Sequence, residues 1–455
     1  MSKESVFAVV YRSDVNAPIM TGTGVITDTV TNQSYDLKPG SLLWTTKGSR
    51  ASFTKSKGFS TIYVEKRHGE DNFVAENPSS LATHQGAQET LAGENTGSAP
   101  RGDPFALCME GGQGPYLYSV DKREYLDFVS DYSAAFYGHS NHTIGEAVKR
   151  ALSTGFSLSS VTHKECHLGE RIKRRFPSME RVRFCNSGTE ASTYALATAM
   201  EFTGRTKDSE ESAEGYFRSL VKLIYSYPRY WCLIMGTTAF ILGTYNQIEA
   251  NQKHISSDLA AIIVEPMLLA GGQIPATREI LSFLRKTADV TGAVLIFDEA
   301  MTSHLHINGL QGFHKIMPDM TTLGKYIGGA QKLGHSGTFN NNVLTVSAAL
   351  AAADLVTEDV IHRVNKLGDT IRNRISEICA EHHFSDLKIP GLGSTIGLQF
   401  LRVDRDLLMG LLFYHMVQHG IWIGRRGFLF LNMCHTEDHV ERFLTAFQKF
   451  IEELK

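Results

Sequence analysis

Two apolar runs, AAIIVEP at residues 260–266 and AVLIFDE at residues 293–299, constrain this chain more than any other feature. Each stays almost free of polar residues until it closes on an acid. A strand that faces water on one side alternates, whereas one covered on both faces does not, so the runs read as strands of a parallel sheet sandwiched by helices. Between them REILSFLRKTADVTG has the helical period, which makes the unit strand–helix–strand. Strands joined in this way bring their carboxyl ends to one edge, where open α/β sheets bind ligands. Asp298 stands at that end of the second run. The core is expected to be α/β.

With 455 residues, the chain is long enough for roughly two to four domains. Residues 1–66 alternate in FAVVY, GVIT, SLLW and STIYVEK between turn-rich pieces, which predicts a small β segment. Its piece YDLKPGSLLWTTKGSRASF is similar to the C-terminal half of a small cupin barrel. The histidine-rich metal-binding pattern is missing (His68 is the first histidine), so a structural or dimerising role is expected there rather than a metal site. Residues 67–104 are polar and rich in Gly, Ser, Asn and Ala, the composition of a linker or extended arm. Residues 105–345 read as a large domain and 346–455 as a smaller α/β domain, with strand candidates in STIGLQF and FLFLNM. Within the large domain, YLYSVDKREYLDF predicts two strands turning at Asp121 and Lys122. HTIGEAVKRALS predicts a helix with Ile144, Val148 and Leu152 on one face. RVRFCNSGTEASTYALATAMEFTG predicts a strand, a tight turn and a helix.

A net charge of −3 without a long basic block argues against a nucleic-acid or polybasic membrane-binding surface. The six cysteines are scattered, with neither a CxxC pair nor zinc-like spacing, and read as ordinary buried thiols in a reducing, cytoplasmic setting. The opening MSKESVFAVVYRS has too short an apolar run for a signal peptide. WCLIMGTTAFILGTY at residues 231–245 is shorter than the ~20 residues that span a bilayer. It also carries glycines and threonines, and so predicts a buried strand or helix.

Three features lie in an order that chemistry can use. Asn186, Ser187, Gly188, Thr189 and Glu190 sit where a strand would turn into a helix; such a start serves as an N-cap and equally as a cup of N–H and hydroxyl donors for a phosphate. Asp298 at a strand exit suits a helix cap or salt-bridged acid, or a carboxylate paired with a protonated ring nitrogen. Lys325 in TTLGKYIGG reads as a surface lysine or as a functional amine.

The wording around these residues is more specific than the parts. RVRFCNSGTEAS, AAIIVEPM, AVLIFDEAMTS, PDMTTLGKYIGG and HSGTFNNNVLT resemble class III aminotransferases, within them the glutamate-1-semialdehyde aminomutase-like branch. GGQGPYLYSVDKREYLDFVSDYSAAFYGHSNH and HGIWIGRRGFLFLN extend the resemblance over most of residues 105–444. It implies the type I fold of pyridoxal-5′-phosphate (PLP) enzymes, with a large mixed-sheet domain and a small C-terminal α/β domain. It implies further that Lys325 carries PLP as a Schiff base and shuttles a proton, that Asp298 pairs with the pyridine nitrogen, and that Ser187, Gly188 and Thr189 hold the phosphate. Asn186 and Glu190 shape the site, and Thr338 reaches the phosphate of a neighbouring subunit in a homodimer. The expected activity is amino-group transfer, or its return to another carbon of the same molecule, on a small amino or keto acid.

Three departures from the family pattern stand beside this. No Tyr-His-Gly turn, whose aromatic ring stacks on the cofactor, occurs in residues 207–246, where Tyr225, Tyr227 and Tyr230 are the aromatic alternatives. Only AQKLGHS separates Gly329 from Gly337, and Gly97 takes the place of a substrate-binding arginine that Arg101, Arg425 or Arg426 could replace. They motivate a second expectation, a catalytically impaired dimeric homologue that serves as a binding or regulatory scaffold.

Overall fold

The computed structural model describes residues 76–91, 105–158, 160–205, 241–327 and 342–454 in full, with the backbone of the strands before residue 68, of Cys232–Gly236, of Phe240 and of Gly328. The chain divides into two compact units, Met1–Glu110 with Ser119–Arg123, and Gly111–Tyr118 with Glu124–Lys455. In the first, two three-stranded antiparallel sheets form: Leu42–Thr46, Ser5–Tyr11 and Thr61–Arg67 in that order, and Ser34–Leu37, Gly24–Asp28 and Ala51–Thr54. The stretch read as a linker contains a helix, Pro78–Thr90, with proline in its first turn. The Asp121 carboxylate accepts the otherwise orphaned N–H groups of Ser79 (2.7 Å) and Ser80 (3.0 Å). The helix is hidden in the sequence because its buried side is Ser80 rather than an apolar stripe.

The second unit is built on a five-stranded sheet. Helix α1 (His163–Arg175) and helix α2 (Gly188–Thr203) precede strands β1 (Cys232–Gly236), β2 (Phe240–Leu242) and β3 (Leu259–Val264). Helix α3 (Arg278–Thr291), β4 (Val294–Asp298) and β5 (Met320–Thr322) follow. The strand order is β2-β1-β3-β4-β5. β3, β4 and β5 run parallel, in register from Ala261 opposite Val294 and from Ile296 opposite Met320, while β1 is antiparallel to both of its neighbours. The apolar stretch at residues 231–245 thus contributes β1 and β2.

The two apolar runs behave as expected. All of β3 is buried, as is β4 up to Asp298. Ile262, Val264, Leu295 and Phe297 point to one face, against Ile280, Leu281, Leu284 and Ala288 of α3. Ala261, Ile263, Val294 and Ile296 point to the other, against Leu196 and Ala199 of α2. Period-two alternation between two greasy faces is what makes each run continuous. Thr277 caps α3 through the Ile280 N–H (3.2 Å), and Gly292, at φ +72°, ends the helix two residues before β4.

Two local expectations fail. Residues 181–185 form no strand, because no described strand offers them a ladder; they lead straight into α2. In the helix His142–Leu152, Ile144 is buried and Val148 packs on Ala151, Val343 and Leu344, but Leu152 is 62% exposed: it is the last helical residue, past the turn that the core covers. The turn at Asp121 and Lys122 is present between Tyr116–Ser119 and Glu124–Asp127, with Lys122 at φ +63°.

Beyond α4 (Val343–Ala353) and α5 (Glu358–Glu381), the two strand candidates supply Thr395–Gly397 and Phe428–Phe430, and Thr395–Gly397 pairs antiparallel with both Phe428–Phe430 and Gly391–Leu392. Gly368 lies where α5 crosses this sheet; a Cβ there would land on the Gly393 carbonyl oxygen. Gly368→Ala is therefore expected to destabilise the chain by about 1–3 kcal/mol despite alanine's better helix propensity, because backbone cannot step aside as a side chain can. A urea or thermal melt reads the loss. Among the described residues no helix is long and apolar enough to cross a membrane.

Candidate active site

The carboxyl ends of β4 and β5 and the start of α2 meet at one methyl group. A Cβ on Gly188, the first residue of α2, would lie 3.2 Å from the Cβ of Ala300, and one on Gly324 would lie 3.3 Å from the same atom. Asp298 and Lys325 flank that junction in sequence, so the turn, the acid and the lysine expected to act together are brought to one sheet edge. Thr338 and the segment 329–337 lie outside the described residues, as do Gly97, Arg101, Tyr225, Tyr227 and Tyr230.

At the start of α2, Ser187 is the N-cap, its Oγ accepting from the Glu190 N–H (3.1 Å). Glu190 reaches back to accept from the Asn186 N–H (3.0 Å), so its carboxylate braces the turn. Capping uses the Ser187 oxygen as an acceptor and leaves its O–H as a donor. The N–H groups of Gly188 and Thr189 have no intrahelical acceptor, as at every helix start. N-cap and phosphate cup are thus compatible readings of the same residues.

Asp298 ends β4 half-buried. Its Oδ1 accepts from the Thr322 hydroxyl (2.9 Å) and the Ala300 N–H (3.1 Å), and its Oδ2 from the Ser192 hydroxyl (3.2 Å). Burial pushes the carboxyl above its ordinary range, against the pull of these three donors. Ser192 comes from α2 and Thr322 from β5, so the acid is held by the elements that carry the turn and the lysine. These two partners were not singled out in the sequence, which shows a serine in a helix and a threonine in a strand like any other.

Behind Asp298 lies a second acid. Glu265, just past β3, accepts from the Leu269 N–H (3.2 Å) and is pushed up to about 8 by burial and then by the charge of Asp298. It therefore stays protonated at neutral pH and leaves the negative charge to Asp298. The folded chain holds this proton more tightly than the unfolded one. Its stabilising contribution is complete below the ordinary value of 4.5 and is lost as pH rises through about 8. Across that window the loss runs at up to about 1.4 kcal/mol per pH unit. Glu265→Gln, measured by urea melts of the cofactor-free chain at pH 5.5 and 8, is expected to flatten the dependence and to gain most at the higher pH.

Lys325 opens a single 3-10 turn, Lys325–Gly328, at φ +56°. Its Nζ lies 5.8 Å from the ring centroid of Tyr132. Tyr132 belongs to four consecutive non-glycine residues in the left-handed region: Ser130 (φ +45°), Asp131 (+43°), Tyr132 (+55°) and Ser133 (+73°). Each such residue costs about 1–2 kcal/mol, and a run of them persists only where surroundings enforce it. Here the buried Asp127 carboxylate accepts the N–H of Val129 (2.7 Å) and Ser130 (3.1 Å). Ser130 Oγ donates to the Phe430 carbonyl (2.8 Å) and accepts from Asn432 Nδ2 (3.0 Å). Ser133 Oγ donates to the Met301 carbonyl (3.3 Å). The strained turn thus presents Tyr132 to Lys325. Burial raises the Tyr132 hydroxyl above its ordinary range, and the charge of the exposed Arg426, whose guanidinium lies 4.9 Å over the Phe428 ring, draws it back down.

This donor and charge set fits PLP: a helix start for the phosphate, a half-buried carboxylate with fixed neighbours for the ring nitrogen, and a lysine at the same edge for the aldehyde. The class-III aminotransferase family profile matches residues 98–227 and 237–451. An uncharacterized aminotransferase of Schizosaccharomyces pombe is 35% identical, covering 86% of this chain and 96% of its own length. The β-phenylalanine transaminase of Variovorax paradoxus is 33% identical, covering 83% and 94%. The crystal structure of a β-phenylalanine aminotransferase from Variovorax paradoxus superposes with a TM-score of 0.73 at 30% identity, covering 84% of this chain and 95% of that one. Relatives also include glutamate-1-semialdehyde aminomutases, the branch that the motifs resemble. The chain belongs to the class-III aminotransferases, PLP-dependent enzymes of fold type I.

Proposed function

We propose that the chain moves the amino group of a small, carboxylate-bearing amino acid, with Lys325 as the amine that carries PLP. The convergence of Gly188, Asp298 and Gly324–Lys325 on Ala300 carries this reading. When bound, PLP supplies an electron sink for the pair left as a C–H bond beside the amine breaks. Ser187, Gly188 and Thr189 would fix the phosphate, and Asp298 would hold a proton on the ring nitrogen. Freed when the substrate amine takes its place on PLP, Lys325 Nζ would take the proton from the substrate carbon and return it to the carbon that keeps it. The strained turn keeps the Tyr132 ring beside that amine, its centroid 5.8 Å from Nζ.

Arg426, stacked over Phe428 in the cluster against which Tyr132 packs, is the arginine we assign to the substrate carboxylate in place of the one replaced by Gly97. The likeness to a β-phenylalanine transaminase adds β-amino acids to the substrates in reach. A cytoplasmic homodimer, with Thr338 serving the neighbouring phosphate, completes the reading and rests on the sequence resemblance.

Purified protein mixed with PLP should develop a visible absorption band, and borohydride should fix the adduct on Lys325. A panel of α- and β-amino acids with keto-acid acceptors, glutamate-1-semialdehyde included, should then show turnover. No band and no Lys325 adduct sinks the assignment. A Lys325 adduct without turnover on any donor leaves the scaffold instead.

A further inference from the structure

Resting on the assignment of Lys325, we propose that Tyr326 and Arg175 are positioning residues that set the direction and reach of the Lys325 amine. A left-handed lysine opening a one-turn helix needs its neighbours nailed down, since nothing in so short a turn enforces φ +56°. The Ile327 N–H closes the turn on the Gly324 carbonyl (3.3 Å), and the Ile327 side chain packs with Leu168, Ile172, Phe176, Val346 and Ala349. The residue directly after the lysine is held harder. Tyr326 is 0% exposed, and its ring lies 5.7 Å from Phe136, 5.8 Å from His304 and 6.1 Å from Tyr137 by centroid.

The guanidinium of Arg175 sits 5.2 Å over that ring. Arg175 cannot drift, because its Nε donates to the Ile307 carbonyl and its Nη2 to the Ser303 carbonyl, each at 2.8 Å. Its second flat contact is Phe176, at 5.1 Å. Ser303 and Arg175 lie near the Tyr326 hydroxyl, which makes no hydrogen bond of good geometry among the described residues. The ring, clamped under Arg175, therefore carries the contacts, and shifting the ring turns the backbone from which the lysine projects. A lysine in place of Arg175 keeps the charge but has no plane to stack and no fork to grip two carbonyls.

The test uses the full chain and three variants: Tyr326→Phe, Tyr326→Ala and Arg175→Lys. In the cofactor-free protein, the pH midpoint for reductive methylation of Lys325 by formaldehyde and a borohydride is read on its peptide by mass spectrometry. The rate at which the visible band appears after mixing with PLP is read separately. Tyr326→Ala and Arg175→Lys are expected to slow the band about tenfold or more and to move the midpoint by about half a unit or more, with Tyr326→Phe close to wild type. A merely structural role would lower the melting temperature and leave the midpoint in place.

If Tyr326→Ala does not fold, Arg175→Lys decides: rate and midpoint within about twofold and 0.2 units of wild type overturn the proposal. Tyr326→Phe as damaging as Tyr326→Ala overturns it too, because the hydroxyl would then be the working part. If wild-type protein forms no Lys325 adduct with PLP, the cofactor assignment falls, while the methylation midpoints still decide whether Tyr326 and Arg175 govern this amine.

Discussion

Lys325→Ala is expected to reduce amino-group transfer by about 10⁴-fold or more, and to remove the borohydride-stable adduct from this position. The reasoning starts from what else could take a proton at this edge of the sheet. Tyr132 faces the lysine, but burial holds its phenol above the ordinary range, so at neutral pH it has no basic form to offer. Asp298 is turned to Thr322, Ser192 and the Ala300 N–H, and is the acid we propose for the ring nitrogen. Glu265 is protonated up to about 8. Lys325→Arg should fail almost as completely, because a guanidinium stays protonated and forms no imine. The chain should still fold, since the lysine side chain is exposed. Rates of proton exchange at the substrate carbon, followed by NMR in heavy water, check the result; exchange at a tenth of the wild-type rate in Lys325→Ala would show that another group is the base.

Much of this site was legible in the sequence because its parts obey local rules. β3 and β4 announce themselves as strands buried on both faces, and the helix between them has its cap at Thr277 and its stop at Gly292. Asp298 follows from the end of such a strand. What could not be read is whatever depends on elements distant in sequence. The hydroxyls of Ser192 and Thr322 become partners of Asp298 only when α2 and β5 flank β4. The left-handed run at residues 130–133 contains no glycine and so carries no local signature; Asp127, Phe430, Asn432 and Met301 impose it. The strand expected over residues 181–185 shows the reverse failure, a good local pattern that needs a partner to become a ladder. Asp298 is therefore the residue where local and distant terms can be separated by experiment.

Asp298→Asn keeps the size and shape of the side chain and removes its charge. The three donors that hold it react differently: the Thr322 hydroxyl and the Ala300 N–H can still donate to an amide oxygen, whereas the Ser192 hydroxyl at 3.2 Å would face an NH₂ group and must turn to accept. That rearrangement is small, and the substitution also relieves the burial that pushes the acid up, so the cofactor-free variant should melt no lower than wild type. Binding of PLP should suffer, because a charge-assisted hydrogen bond at the ring nitrogen contributes about 1.5–3 kcal/mol, or roughly one to two orders of magnitude in Kd. Turnover should fall further, by about 10²–10³-fold, since an unprotonated ring is a poorer sink as the C–H bond breaks. The same variant lowers the pH at which Glu265 ionises, as it removes the second of the two causes raising that group and leaves burial, the larger one, in place. Melts of Asp298→Asn at pH 5.5 and 8 should then fall less steeply with pH than those of wild type over the upper part of the window. A variant with wild-type PLP affinity and turnover would show that Asp298 merely braces Thr322 and Ser192, and that the charge opposite the ring comes from elsewhere.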